Sequence, residues 1–122
     1  MRKILTTALI LNFLTDGPVG ALMIFSPEAL LPGGNAEALF WVRNYGVAAL
    51  SVACMALWLW PSRDDYKAMG VGLGFLLSFH TVLAVVLYLS GVQLVGAIIH
   101  TVLAALFISL YLQRAKWCTT PS

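Results

Sequence analysis

Four apolar stretches, at about 4 to 25, 38 to 60, 69 to 89 and 93 to 112, constrain this chain more than any motif in it. Each is long enough to cross the hydrocarbon core of a bilayer as a helix, and together they take up most of the 122 residues. Hydrocarbon offers no partners to exposed backbone groups, and the stretches lack the two-residue alternation of a membrane barrel, so each is expected to be helical. The expected class is an all-α polytopic membrane protein, a four-transmembrane-helix bundle forming a single membrane domain over residues 1–122. Composition agrees: 61% of the residues are hydrophobic and 10% are charged, whereas a soluble domain carries about 25% charged residues. A formal charge of +2 provides no phosphate-tracking surface, so no nucleic-acid partner is expected. The expected partners are the lipid bilayer and, beside it, other membrane subunits or further copies of the chain.

Punctuation between the stretches fits this division. Ser26-Pro27 ends the first, Pro32-Gly33-Gly34-Asn35 with Glu37 marks a loop and a helix start, and Pro61-Ser62-Arg63-Asp64-Asp65 closes the second. The third and fourth are joined by little more than Ser90-Gly91-Val92, which suits a tight antiparallel hairpin. Basic residues fall in pairs on alternate segments: Arg2 and Lys3, Arg63 and Lys67, Arg114 and Lys116. By the positive-inside rule both termini and the middle loop are expected to be cytoplasmic, in a membrane of the bacterial inner-membrane kind. Reading Arg2-Lys3 and the first apolar run as a signal peptide is the less favoured alternative, because the run continues to Phe25 without a small-x-small cleavage site. Cys54 lies inside the second span and Cys118 beyond the last, so no disulfide between them is expected.

Four ionisable residues are expected at membrane depth, where they are expensive and hence functional candidates: Asp16, Arg43, His80 and His100. Counting along each helix puts them about 8 to 13 Å from the outer ends of the spans. Asp16 sits in Thr15-Asp16-Gly17-Pro18, where Pro18 cannot donate to the preceding turn and a kink is expected. It is read either as half of a buried pair with Arg43, the preferred reading, or as a proton- or cation-binding acid. Arg43 has two further readings, binding an anionic group bidentately or snorkelling to the interface beside Trp41 and Tyr45.

His80 and His100 each open the pentad His-Thr-Val-Leu-Ala on helices that must be antiparallel neighbours. Neutral imidazoles at matched depth can ligate a haem iron from both sides, or bind a metal or a quinone oxygen. Hydrogen bonds to Thr81, Thr101 or Asp16 would satisfy the same rings structurally, and this plainer reading is preferred. Gly96, Ala97 and Ala104 on the face of His100 leave room for a close neighbour or a flat ligand. Gly70, Gly74 and Ser78 form a small-residue stripe, rotated away from His80, that would permit close helix approach.

An acid in the first span, Arg43-Asn44-Tyr45-Gly46 near the start of the second and His in the last two together resemble the small four-span bacterial membrane proteins of the DoxX-like kind. That resemblance implies an accessory or redox-associated role, with no catalytic residue attached to it. A second resemblance, to the small multidrug resistance transporters, rests on the length, the four spans and Asp16 in the first. Those proteins typically carry Glu there, and their dual-topology members show little of the charge bias seen here.

The expected function is therefore a small accessory or scaffold subunit of a larger membrane assembly, possessing no soluble catalytic domain. The alternatives are a self-contained site for haem, quinone or a lipid head group at His80 and His100, and a small proton-coupled transporter using Asp16.

Overall fold

A computed structural model of the chain describes residues 1–91 and 93–119. The long helices are α1 (Arg2–Phe25), α3 (Ala36–Leu59), α4 (Tyr66–Ser90) and α5 (Leu94–Gln113); a single turn, α2 (Pro27–Leu30), lies between the first two. No strand occurs among the described residues. All four long helices, the last continued by the 3₁₀ turn Arg114–Lys116, are long and apolar enough to cross a membrane, which makes the chain an integral membrane protein of all-α class.

Local chemistry explains where the helices begin and end. Asn35 Oδ1 accepts a hydrogen bond from Ala38 N at 2.8 Å, supplying one of the partners missing at the start of α3. Asp65 does the same for α4, accepting from Ala68 N at 2.9 Å. The α4 helix stops at Gly91, whose φ of 68° is the left-handed conformation that suits a residue without Cβ. Val92, expected to belong to this turn, lies outside the described residues. The α2 turn was not expected from the sequence, which reads there as loop. Pro18, where a kink was expected, lies inside α1, which continues through it.

Two compact units make up the chain, one of Met1–Ala8 with Trp58–Ser122 and the other of Leu9–Leu57. The first contains the α4–α5 hairpin, whose interior is built from residues such as Leu73, Leu76, Ala97, Leu103 and Phe107. Just before α4, Asp64 joins Arg2 to Thr119: it accepts from Arg2 Nη2 at 2.8 Å through its carboxylate and from Thr119 N at 3.1 Å through its carbonyl. The expected small-residue stripe does not bring backbones together. A Cβ on Gly74 would meet the Tyr111 ring at 3.6 Å, and one on Gly70 would meet Arg114 Nε at 3.3 Å, so these glycines make room for large side chains of the hairpin's other arm.

Close backbone approach occurs in the second unit, between α1 and α3. A Cβ on Gly46 would stand 2.6 Å from Met23 Cβ and 2.9 Å from Gly20 O, and one on Gly20 would stand 2.8 Å from Leu50 N. Two glycines facing each other across a crossing let helices pack by backbone contact, the usual device where lipid removes the hydrophobic drive for association. Near the same crossing Asn12, fully buried, donates from Nδ2 to Val52 O at 3.0 Å. Cys54 and Cys118 are both free thiols.

Candidate functional site

The short α4–α5 connection forces the two helices to run antiparallel and side by side, which brings His80 and His100 to one level. Their Nδ1 atoms lie 2.8 Å apart. The rings are nearly parallel, with an interplanar angle of 23° and centroids separated by 5.1 Å. Both residues are buried, His80 completely. Phe107, two turns beyond His100 on α5, lies almost flat over His80, at 5.4 Å between centroids and 16° between planes. Phe79 meets both imidazoles edge-on, at 5.3 Å and 6.4 Å.

A nitrogen-to-nitrogen distance of 2.8 Å is a hydrogen bond, so one Nδ1 carries the hydrogen and the other accepts it. With both rings neutral the two histidines are therefore opposite tautomers. Buried imidazole nitrogens are expensive to leave unmatched, and each ring removes that penalty for the other. The sequence reading expected convergence of this pair as a hydrogen-bonded structural feature, with Thr81, Thr101 or Asp16 as further partners of the rings. Thr101 instead donates to Ala97 O at 2.8 Å, inside its own helix.

This arrangement does not fit an iron porphyrin held between the two rings. Two axial nitrogens on opposite faces of a macrocycle stand about 4 Å apart, from two metal–nitrogen bonds of roughly 2 Å. Here the Nδ1 atoms are in direct contact, 2.8 Å apart, and the two rings meet edge to edge, which leaves no room for an iron between these nitrogens. Phe107 covers the face of His80.

Arg43 is placed differently from its preferred reading. Its Nη2 lies 3.3 Å from Glu28 Oε1, and both side chains are about half exposed. The physical reason is that Glu28 on α2 supplies an acid at the solvent-accessible end of the helix, where ion pairing requires no desolvation. A long guanidinium side chain then turns outward, as the snorkelling alternative anticipated. Asp16 is buried at 4% exposure on α1. A Cβ added to the neighbouring Gly17 would lie 3.6 Å from Ala53 Cβ, so this part of α1 is pressed against α3.

Asn12 is the functional-looking polar residue that the sequence reading missed. An amide within an apolar span was the available signal, since such groups bridge helices when no water is present. No protein-family description, curated protein or solved structure matches this chain.

Proposed function

We propose that this integral membrane protein is a small accessory or scaffold subunit of a larger membrane assembly, in which the His80–His100 bond acts as a clasp on the α4–α5 hairpin. The observation that carries this reading is the closure of the pair. Both Nδ1 atoms are engaged with each other at 2.8 Å, and Phe107 covers one ring, so the most prominent polar feature of the hairpin serves packing. Segments joining the spans are short among the described residues, with α2 as their only helix. Function is then carried laterally, through helix faces rather than an extramembrane domain. The alternating basic pairs support cytoplasmic termini in a bacterial inner membrane. The DoxX-like resemblance supports a redox-associated assembly.

Purification in a mild detergent tests this. Co-migration with larger membrane subunits and a colourless preparation are expected. A monodisperse small species with a Soret band that disappears in His80→Ala would overturn the proposal in favour of a self-contained haem site.

A further inference from the structure

Each basic pair of the sequence divides in the same way: its arginine is held by the protein, and its lysine is left to the surroundings. Arg2 Nη2 binds Asp64 Oδ1 at 2.8 Å. Arg63 Nη1 donates to Trp60 O at 2.9 Å, with the guanidinium carbon 4.8 Å from the centre of that indole ring. Arg114 Nη1 donates to Tyr111 O at 2.6 Å, and its guanidinium lies over the rings of Tyr66 and Tyr111. Lys3, Lys67 and Lys116, by contrast, are exposed, and none has a hydrogen-bond or ion-pair partner among the described residues. They are all the lysines of the chain.

Asp64 brings the three into one region. Its carboxylate takes Arg2, the neighbour of Lys3, and its carbonyl takes the backbone of Thr119, just beyond Lys116. Lys67 lies in the first turn of α4, which Asp65 caps. All three lysines therefore stand at one end of the unit that contains the hairpin, each about one turn or less from the end of a long helix. The two acids of this unit are engaged elsewhere, Asp64 with Arg2 and Asp65 with Ala68 N, so neither is committed to a lysine.

Helix electrostatics add to the same field. Lys3 and Lys67 occupy first turns, where the dipole disfavours a cation and favours an anion, and neither first turn contains an acidic residue. The lysines and the helix starts thus attract the same kind of partner. Trp58 and Trp60, exposed around the end of α3, are of the residue type that marks head-group level. At that level a lysine stem lies along apolar surface while its ammonium reaches the phosphate layer. The partner that meets all three ammonium groups at this depth is lipid, and the complement to their charge is a head group of net negative charge.

We propose that Lys3, Lys67 and Lys116 form a cluster that enriches anionic phospholipid around this end of the protein. The ammonium groups act as exposed point charges on the head groups along the rim, without a closed binding cavity. This inference is independent of the accessory role and of the histidine clasp.

Native mass spectrometry of the full chain ejected from nanodiscs provides the test, with equal amounts of phosphatidylglycerol and phosphatidylcholine of identical acyl chains as probes. The wild type is expected to retain phosphatidylglycerol about fivefold over phosphatidylcholine, the worth of one lysine at an anionic surface. Lys3→Gln, Lys67→Gln and Lys116→Gln should each reduce that preference to about threefold, and the triple change should bring it to about one with the thermal midpoint unchanged. Arginine at all three positions should preserve it. Arg43→Gln removes the same unit of charge elsewhere in the chain and should leave the ratio as in the wild type. Higher ionic strength should erode the preference, since exposed charges are screened. Equal retention of both lipids by the wild type would overturn the proposal. So would a preference that survives the triple change, or one that falls as far in Arg43→Gln as in a single lysine variant. A wild-type ratio near one, together with a co-purifying acidic subunit that the triple variant loses, would assign the lysines to that subunit instead.

Discussion

Asn12 and the two histidines illustrate how polar side chains act in this protein: each reaches across to a neighbouring helix within its own unit. Replacing Asn12 by Leu removes the bond to Val52 O, and chemical unfolding in detergent should register a loss of about 1 kcal/mol, the usual scale of an interhelical hydrogen bond in a membrane. For the histidines, His80→Leu and His100→Leu should each destabilise by about 1–3 kcal/mol, because the surviving ring is left with an unmatched nitrogen. The double change should cost less than the sum. Arg43 and Asp16 behave independently on this account. Asp16→Asn and Arg43→Gln should add within about 0.5 kcal/mol, whereas Arg43 and Glu28, about half exposed, should couple by less than about 1 kcal/mol and lose that coupling in high salt. Counting depth along each span suggested the wrong acid for Arg43, since depth says nothing about azimuth around a helix. It also passed over Glu28, whose exposed side chain pairs without desolvation.

Among the elements, the four long helices were legible because a lipid solvent reduces the problem to the length and polarity of each segment. Their observed limits fall within about three residues of those read from the sequence, the usual uncertainty of helix ends. The α2 turn was not legible, since four residues cannot display a helical period. The glycines were the harder case. Gly70 and Gly74 have the spacing expected of a packing stripe, yet they accommodate Arg114 and Tyr111. Gly20 and Gly46, single glycines on two different spans, make the close crossing, and only the three-dimensional pairing reveals them. Gly46→Ala would put a Cβ 2.6 Å from Met23 Cβ and 2.9 Å from Gly20 O. Backbone cannot yield as a flexible side chain does, so a loss of about 1–3 kcal/mol is expected in the same unfolding assay.

For the molecule as a whole, membrane orientation is directly testable by cysteine labelling from either side. A cysteine at Gly34 should react with an impermeant maleimide from outside, and Cys118 only after the cytoplasmic face is opened. Burial and then the Asp64 carboxylate push the Cys118 thiol above its ordinary range; Arg114 pulls it down, and Asp65 raises it again. A raised pKa means less thiolate at neutral pH, so Cys118 should label slowly there and faster as the pH is raised. The central claim is that the α4–α5 hairpin is closed by a direct bond between His80 and His100. Solid-state NMR of the protein in bilayers, with its histidines labelled with ¹⁵N, tests this most directly. The account predicts one ring protonated at Nδ1, the other at Nε2, and a scalar coupling between the two Nδ1 nuclei. Two rings of the same tautomer with no such coupling would contradict it.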